Sequence, residues 1–347
     1  MAIEASAGLP GPAEPALLGV TAAAPAGPAE STETLVPLEF RGSGAEYFRI
    51  WIVNLALTIV TLGVYSAWAK VRRLKYFHGS TLLAGSPFGY HGDPLQILKG
   101  RAIAAVLAIA YAVAGQVSPV AALAVFALLA VAVPWLLLKS RLFTLRMTSW
   151  RGLRFDFRPH YAGAYKVFLG LGIAAVATLG LLFPYWVRER YRFLVANSRF
   201  AGSAFDCAPR AGRFYKTALV AGLGLAAGAL AFVALAGAVG AVAAAVGGVV
   251  VTPEDSDAGA GGPVATLLTI GFVVAFYALV FPPVYGYYQS RNLNEVLGTT
   301  TLGPVRLASA LRARRLAWIY LSNAVLIVAT LGLYLPWAAV RLARYRI

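Results

Sequence analysis

Seven apolar segments constrain this chain more than any other feature. They lie at roughly 47–69, 102–117, 120–138, 165–187, 217–250, 264–288 and 316–340. Several approach 20 residues, the length that crosses ~30 Å of hydrocarbon. Lys and Arg are kept out of their interiors and collect in blocks at 70–101, 139–166, 188–216, 289–315 and 341–347, with Arg41 and Arg49 completing the set. The chain is 59% hydrophobic with a mean hydropathy of +0.71, whereas soluble domains hold about 45–50% apolar residues. A soluble core would have to hide all of these apolar faces at once, so the sequence reads as a polytopic membrane protein.

The charge pattern orients the segments. Lys- and Arg-rich short loops stay in the cytoplasm. Two connections carry no positive charge: the turn at Val117–Pro119, and Val251–Pro263, which holds Glu254, Asp255 and Asp257. Segments 102–117 and 120–138 therefore form one hairpin with its turn outside, and 217–250 and 264–288 form a second. Segment 165–187 has basic blocks on both sides, which a single crossing would place on opposite faces. Either it crosses as a plain helix or it turns back at Gly180, since glycine tolerates positive φ. The number of crossings is therefore four to seven.

Three of the segments end alike: TLGVYSAWAKVRRLKYF at 61–77, TLGLLFPYWVRERYRF at 178–193 and TLGLYLPWAAVRLARY at 330–345. The basic blocks repeat too. Each runs aromatic, cations, aromatic, small polar residues, then Gly and a Phe three residues on, as in Gly85/Phe88, Gly152/Phe155 and Gly202/Phe205. A fourth, looser copy has Gly303 without the Phe, and a fifth is truncated after Trp337. Such self-similarity marks internal duplication. Gly followed by Phe-x-aromatic implies a tight turn laying a short aromatic strand or wedge against the membrane surface. Trp at a helix end prefers the headgroup interface, and the Lys or Arg beyond it snorkels to phosphates. Pro134, Pro184 and Pro336 stand just ahead of their Trp, where they stop or kink the helix. The lipid- or anion-contact candidates are Trp68, Arg72, Arg73, Lys75, Trp135, Lys139, Trp186, Arg188, Arg190, Trp337 and Arg341.

The phrase TLGxYxxWxxxR with a following G-x-x-F-x-Y resembles the bacterial YjgN-like family of polytopic inner-membrane proteins, a domain of unknown function. The likeness covers about 39–347, including the opening EFRGSGAEYFRIW. The second copy departs by moving its Trp one residue along, and the fourth block lacks the Gly-x-x-Phe ending. The resemblance implies an inner-membrane location and supplies no catalytic residue.

Nothing in the sequence assembles catalytic chemistry. His78, His91 and His160 lack metal-ligand spacing, and neither a Gly-x-Ser-x-Gly elbow nor a phosphate-binding loop is present. The Gly224–Gly228 pair fits close helix packing. Cys207 stands alone, which excludes an intrachain disulfide. Asn54 and Asn323 are the intramembrane polar candidates, each seven residues and two helical turns before its Thr61 or Thr330. They suit a hydrogen bond across a helix contact or a polar substrate path.

The expectation is thus an all-α, polytopic transmembrane helical protein with internal repeats, two clear hairpins plus three Thr-Leu-Gly helices. Residues 1–38, rich in Ala, Pro, Gly and Glu, read as a disordered tail without the pattern of a signal peptide, and 39–347 as the membrane domain. The net charge of +16 is placed against anionic phospholipids rather than nucleic acid, with a homo-oligomer or membrane partner also possible. The function expected is non-enzymatic and needs no cofactor: a bacterial inner-membrane protein whose basic cytoplasmic face engages anionic lipids or an acidic partner. The alternative is a transporter or channel for a small or anionic solute.

Overall fold

The computed structural model describes residues 18–22, 34–247 and 263–347. It corrects the all-α expectation. Among the described residues ten short strands join into one closed antiparallel barrel, in the order β1-β10-β9-β8-β7-β6-β5-β4-β3-β2. They are β1 (Leu18–Ala22), β2 (Thr34–Phe40), β3 (Thr81–Leu83), β4 (Ser86–Tyr90), β5 (Thr148–Trp150), β6 (Leu153–Phe157), β7 (Ser198–Phe200), β8 (Ser203–Cys207), β9 (Thr300–Leu302) and β10 (Val305–Ser309). Of the tail expected to be disordered, β1 and the start of β2 are strands, and the remainder lies outside the described residues.

Five helical hairpins are strung between the strand pairs. The first is α1 (Gly44–Val60) with α2 (Ser66–Ser80). The second is α3 (Pro94–Val117) with α4 (Pro119–Arg146). In the third, α5 (Tyr161–Ala164), a π-helical stretch (Tyr165–Gly170) and α6 (Leu171–Ala177) lead to α7 (Phe183–Ala196). The fourth runs from α8 (Ala211–Gly247) to α9 (Pro263–Leu279) and α10 (Phe281–Gly298). The fifth is α11 (Ala313–Ala329) with α12 (Leu335–Arg346). Both outer ends of every hairpin meet the barrel, so all five hang from it, with the described tips pointing away. The second helix of each hairpin packs on a strand, and α12 packs against α1 to close the helical circle as well.

The Thr-Leu-Gly phrase is the tip of the three short hairpins, and its chemistry explains its composition. Leu62, Leu179 and Leu331 sit at φ 48°, 52° and 49°, followed by Gly63, Gly180 and Gly332 at 91°, 87° and 91°. The glycine N–H reaches back five residues, to Thr58, Ala175 or Ile327, and the leucine N–H reaches back three, which is the Schellman closure of a helix. The threonine hydroxyl ties the first helix to the second. Thr61 Oγ1 donates to the Leu57 carbonyl and accepts from the Tyr65 N–H, at 2.7 and 2.9 Å. Thr178 and Thr330 repeat both bonds. Every N–H from the threonine to the fifth residue beyond it has a partner, and Leu62, Leu179 and Leu331 stand 95%, 96% and 95% exposed.

The barrel strands are short because two-residue turns close them. Ala84-Gly85, Arg151-Gly152 and Ala201-Gly202 all have positive φ, the primed turns that fit strand twist. Two of the three matched phenylalanines, Phe88 and Phe155, join Trp150 and Phe200 in one aromatic cluster with ring centroids 4.6–6.4 Å apart. The looser fourth copy still folds as a two-strand pair around Gly303 and Pro304. The missing fifth pair is supplied from the other end of the chain, where β2 pairs with β1 and β3 while β1 also pairs with β10. A strand of three residues is marginal alone. Ring closure gives each strand two neighbours and leaves no edge to aggregate.

Candidate functional site

No Lys or Arg occurs in the five apolar stretches 50–69, 102–138, 167–187, 217–290 and 316–340. The cations are consequently gathered at the barrel and along the helix segments between it and these stretches. The structure divides the candidate residues into two groups. Arg188, Arg190 and Arg341 are committed within the protein. Arg188 Nε donates to the Pro209 carbonyl at 2.8 Å, and Arg188 pairs with Glu189. Arg190 lies over the Trp186 ring at 4.7 Å, while Trp186 Nε1 donates to the Val167 carbonyl. Arg341 bonds Ser322 and Asn323. Arg72, Arg73, Lys75 and Lys139 are exposed, with Lys139 over the half-exposed Trp135 ring. Trp68 stacks on Tyr65, and Trp337 stacks on Phe48.

Two basic cavities, each about 540 Å³, lie among these helices. The first, between α1, α2, α3 and α12, brings Asn54 together with Lys70, Arg73 and Arg101, beside Trp51 and Ser66. Asn54 is 7% exposed and its Oδ1 has no hydrogen-bond partner. The cations are exposed, so they stand at the mouth and the amide at the floor. Arg101 also donates to Ser66 Oγ. None of the residues lining this cavity is acidic. The second cavity has Arg213, Lys216 and Arg291, but Glu295 lies within it. Glu295 is 4% exposed and accepts from the Arg210 N–H at 2.9 Å and Arg213 Nη1 at 2.7 Å. Its charge is thereby answered internally.

Asn323 bonds across a helix contact: its Oδ1 accepts from Arg341 Nη1 at 3.2 Å, and its Nδ2 reaches the Ala338 carbonyl at 3.4 Å. Thr61 and Thr330 instead spend their hydroxyls inside the tips. Gly224 and Gly228 face Val284 and Val280, so the pair packs helices as its spacing suggested. Sequence reasoning missed Lys70 and Arg101 as cavity residues. Their place in the 70–101 basic block was the available signal, but only the fold sets α3 beside α1 and α2.

The family described as bacterial protein of unknown function (DUF898) matches residues 36–347. The chain belongs to this family. Among curated relatives, the inner membrane protein YjgN of Salmonella typhimurium (strain LT2) is 28% identical over 144 residues, covering 41% of this chain and 36% of that protein. Inner membrane protein YjgN of Escherichia coli (strain K12) is 30% identical over 150 residues, covering 42% of this chain and 36% of that protein. The match thus spans little more than a third of the relatives' length. No solved structure matches. Like those relatives, this DUF898 protein is a membrane protein. Among its described residues four helical stretches are long and apolar enough to cross a bilayer: Pro94–Val117, Pro119–Arg146, Ala211–Leu235 and Gly271–Gly298. Among its described residues no His, Cys, Asp and Glu cluster forms a metal site.

Proposed function

We propose that this protein is a non-enzymatic, multi-pass inner-membrane protein whose barrel and helix bases lie at the cytoplasmic leaflet, where the exposed cations engage anionic phospholipid headgroups. The observation that carries this reading is the one-sided distribution of Lys and Arg: all five apolar stretches lack them. Short basic segments beside apolar helices stay cytoplasmic, and each such cation gains about 1 kcal/mol near an anionic surface. Helix α3, with 24 residues, and α4, with 28, have lengths of about 36 and 42 Å at 1.5 Å per residue, enough to cross. The 17-residue α1 and α11 reach only about 25 Å by the same measure, so the three Thr-Leu-Gly hairpins enter the bilayer and turn back. Backbone at membrane depth must have its polar groups satisfied internally, and the N–H groups of these tips are all paired.

The test uses the full chain in nanodiscs and reads tryptophan emission as brominated lipid is added. Brominated phosphatidylglycerol should quench more than brominated phosphatidylcholine at equal mole fraction. The difference should shrink in ~0.5 M salt, where screening acts within about 4 Å, and in the Arg72→Gln/Lys75→Gln/Lys139→Gln variant. Equal quenching by the two lipids at low salt overturns the reading.

A further inference from the structure

The first and last hairpins are copies, offset by 269 positions, so Asn54 corresponds to Asn323 and Arg72 to Arg341. Their asparagines are both buried, at 7% and 6% exposure. In the last hairpin the asparagine oxygen accepts from the arginine of its partner helix. In the first hairpin Arg72 is exposed and Asn54 Oδ1 has no partner. The copy therefore shows what this acceptor takes at this place in the fold: a cationic N–H donor.

The surroundings specify the rest of the ligand. Asn54 lies at the floor of the 540 Å³ cavity, with Lys70, Arg73 and Arg101 at its mouth and no acid among the lining residues. A buried amide oxygen without a donor is costly, and three cations without an anion repel one another. One group answers both: a phosphodiester whose far end carries an N–H donor. Its amine enters first and donates to Asn54 Oδ1, and its phosphate stays between Lys70, Arg73 and Arg101. The remainder of the molecule then leaves through the mouth, where acyl chains find the surrounding bilayer. Arginine suits the phosphate because its planar fork grips two oxygens at once. The second basic cavity does not share this chemistry, since Glu295 already occupies its cations' field.

We infer that the cavity between α1, α2, α3 and α12 binds a phosphoethanolamine-type headgroup, through Asn54 for the amine and Lys70, Arg73 and Arg101 for the phosphate. This rests on the proposal that the cation-rich side meets phospholipid headgroups, and adds a discrete, chemically selective site to it.

Native mass spectrometry of the full chain in detergent, with phosphatidylethanolamine and phosphatidylcholine of matched acyl chains, tests the site. The choline headgroup keeps the phosphate but has no N–H. Ethanolamine lipid should be retained over choline lipid by about tenfold, the effect of one hydrogen bond to a charged group. Asn54→Leu should bring ethanolamine lipid down to the choline level without lowering choline lipid. Asn54→Asp should widen the preference. Arg73→Gln/Arg101→Gln should weaken both lipids. Thermal unfolding of each variant identifies loss of fold, and Asn54→Asp preserves shape where Asn54→Leu does not. Calorimetry with glycerophosphoethanolamine separates the sources: binding as tight as the lipid's assigns the site to a soluble diester, and binding only by the lipid assigns it to the bilayer. Equal retention of both lipids by the unaltered protein, or an ethanolamine preference that survives in Asn54→Leu, overturns the inference. Brominated-lipid quenching in Asn54→Leu keeps the two proposals apart, because the anionic preference of the basic face should persist there.

Discussion

Trp337 stacks on Phe48 with ring centroids 4.7 Å apart and planes inclined by 29°, joining the last helix to the first. The same seam holds Gly44, where an added Cβ would run into the Trp337 ring, and Arg344, whose Nη2 donates to the Gly42 carbonyl at 3.0 Å. These contacts close a circle whose other joints are made by neighbours in sequence. Trp337→Ala should therefore cost about 2–4 kcal/mol, near the lower end for a large aromatic truncation because the ring is only partly buried. Thermal unfolding in detergent checks it. A midpoint within a degree of the unaltered protein would mean that the seam does not hold the ring shut.

The tips separate the needs of folding from those of the bilayer. Thr61→Val keeps the shape of the side chain but removes the acceptor for the Tyr65 N–H. It should cost about 0.5–1.5 kcal/mol, the net worth of a hydrogen bond at this part-buried site. Leu62→Gly has the opposite expectation. A leucine at φ 48° bears a left-handed penalty of about 1–2 kcal/mol, so glycine should raise stability in detergent. The triple variant Leu62→Gly/Leu179→Gly/Leu331→Gly should be at least as stable in micelles yet lose depth-dependent quenching of nearby tryptophans by lipid brominated near the chain ends. Lower stability of the triple variant in micelles would show that these leucines serve packing instead.

Much of this architecture is visible along the chain, and the exceptions have a physical cause. Helical hairpins announce themselves because Val117–Pro119 and the Thr-Leu-Gly triplets interrupt apolar runs bounded by cations. Gly85, Gly152 and Gly202 likewise mark turns next to short aromatic strands. The barrel does not announce itself, since β3, β5, β7 and β9 have three residues each, too few for alternation to register. Its closure depends on β1 pairing with β10, some 285 residues away, and no local pattern encodes such a partner. The cavity is half legible for the same reason. Asn54 stands out as a polar residue in an apolar run, but what it faces is decided by α3 and α12.

His78 gives the barrel-side helix end a pH dependence. Burial lowers its pKa below the usual 6.5, and the hydrogen bond from Nδ1 to the Leu74 carbonyl, at 2.8 Å, offsets part of that effect. The unfolded chain therefore takes the proton at a higher pH than the folded one. Stability is intact above about pH 6.5 and declines as the pH falls from there toward the depressed folded value. His78→Phe, which keeps a ring beside Tyr90, should flatten this part of the profile. The measurement is the difference in unfolding midpoint between variant and unaltered protein from pH 7.5 to 5.0. A difference independent of pH would remove His78 from the account.

The sidedness of the fold yields the sharpest topological expectation. Pro87, Arg154 and Ser203 are exposed on the strands after three different hairpins, and Ser118 lies at the tip of the longest fully described one. If every hairpin begins and ends at one barrel, the three strand positions share a face of the membrane and Ser118 lies on the other. Cys207 is 1% exposed and Cys207→Ser provides a silent background. Single cysteines at Pro87, Arg154 and Ser203 should then resist a membrane-impermeant maleimide added to intact cells and react after the membrane is opened, while cysteine at Ser118 should react from outside. Even one of the three strand positions labelling from outside would break the shared face, because the strands between Pro87 and Ser203 are hydrogen-bonded to one another without interruption.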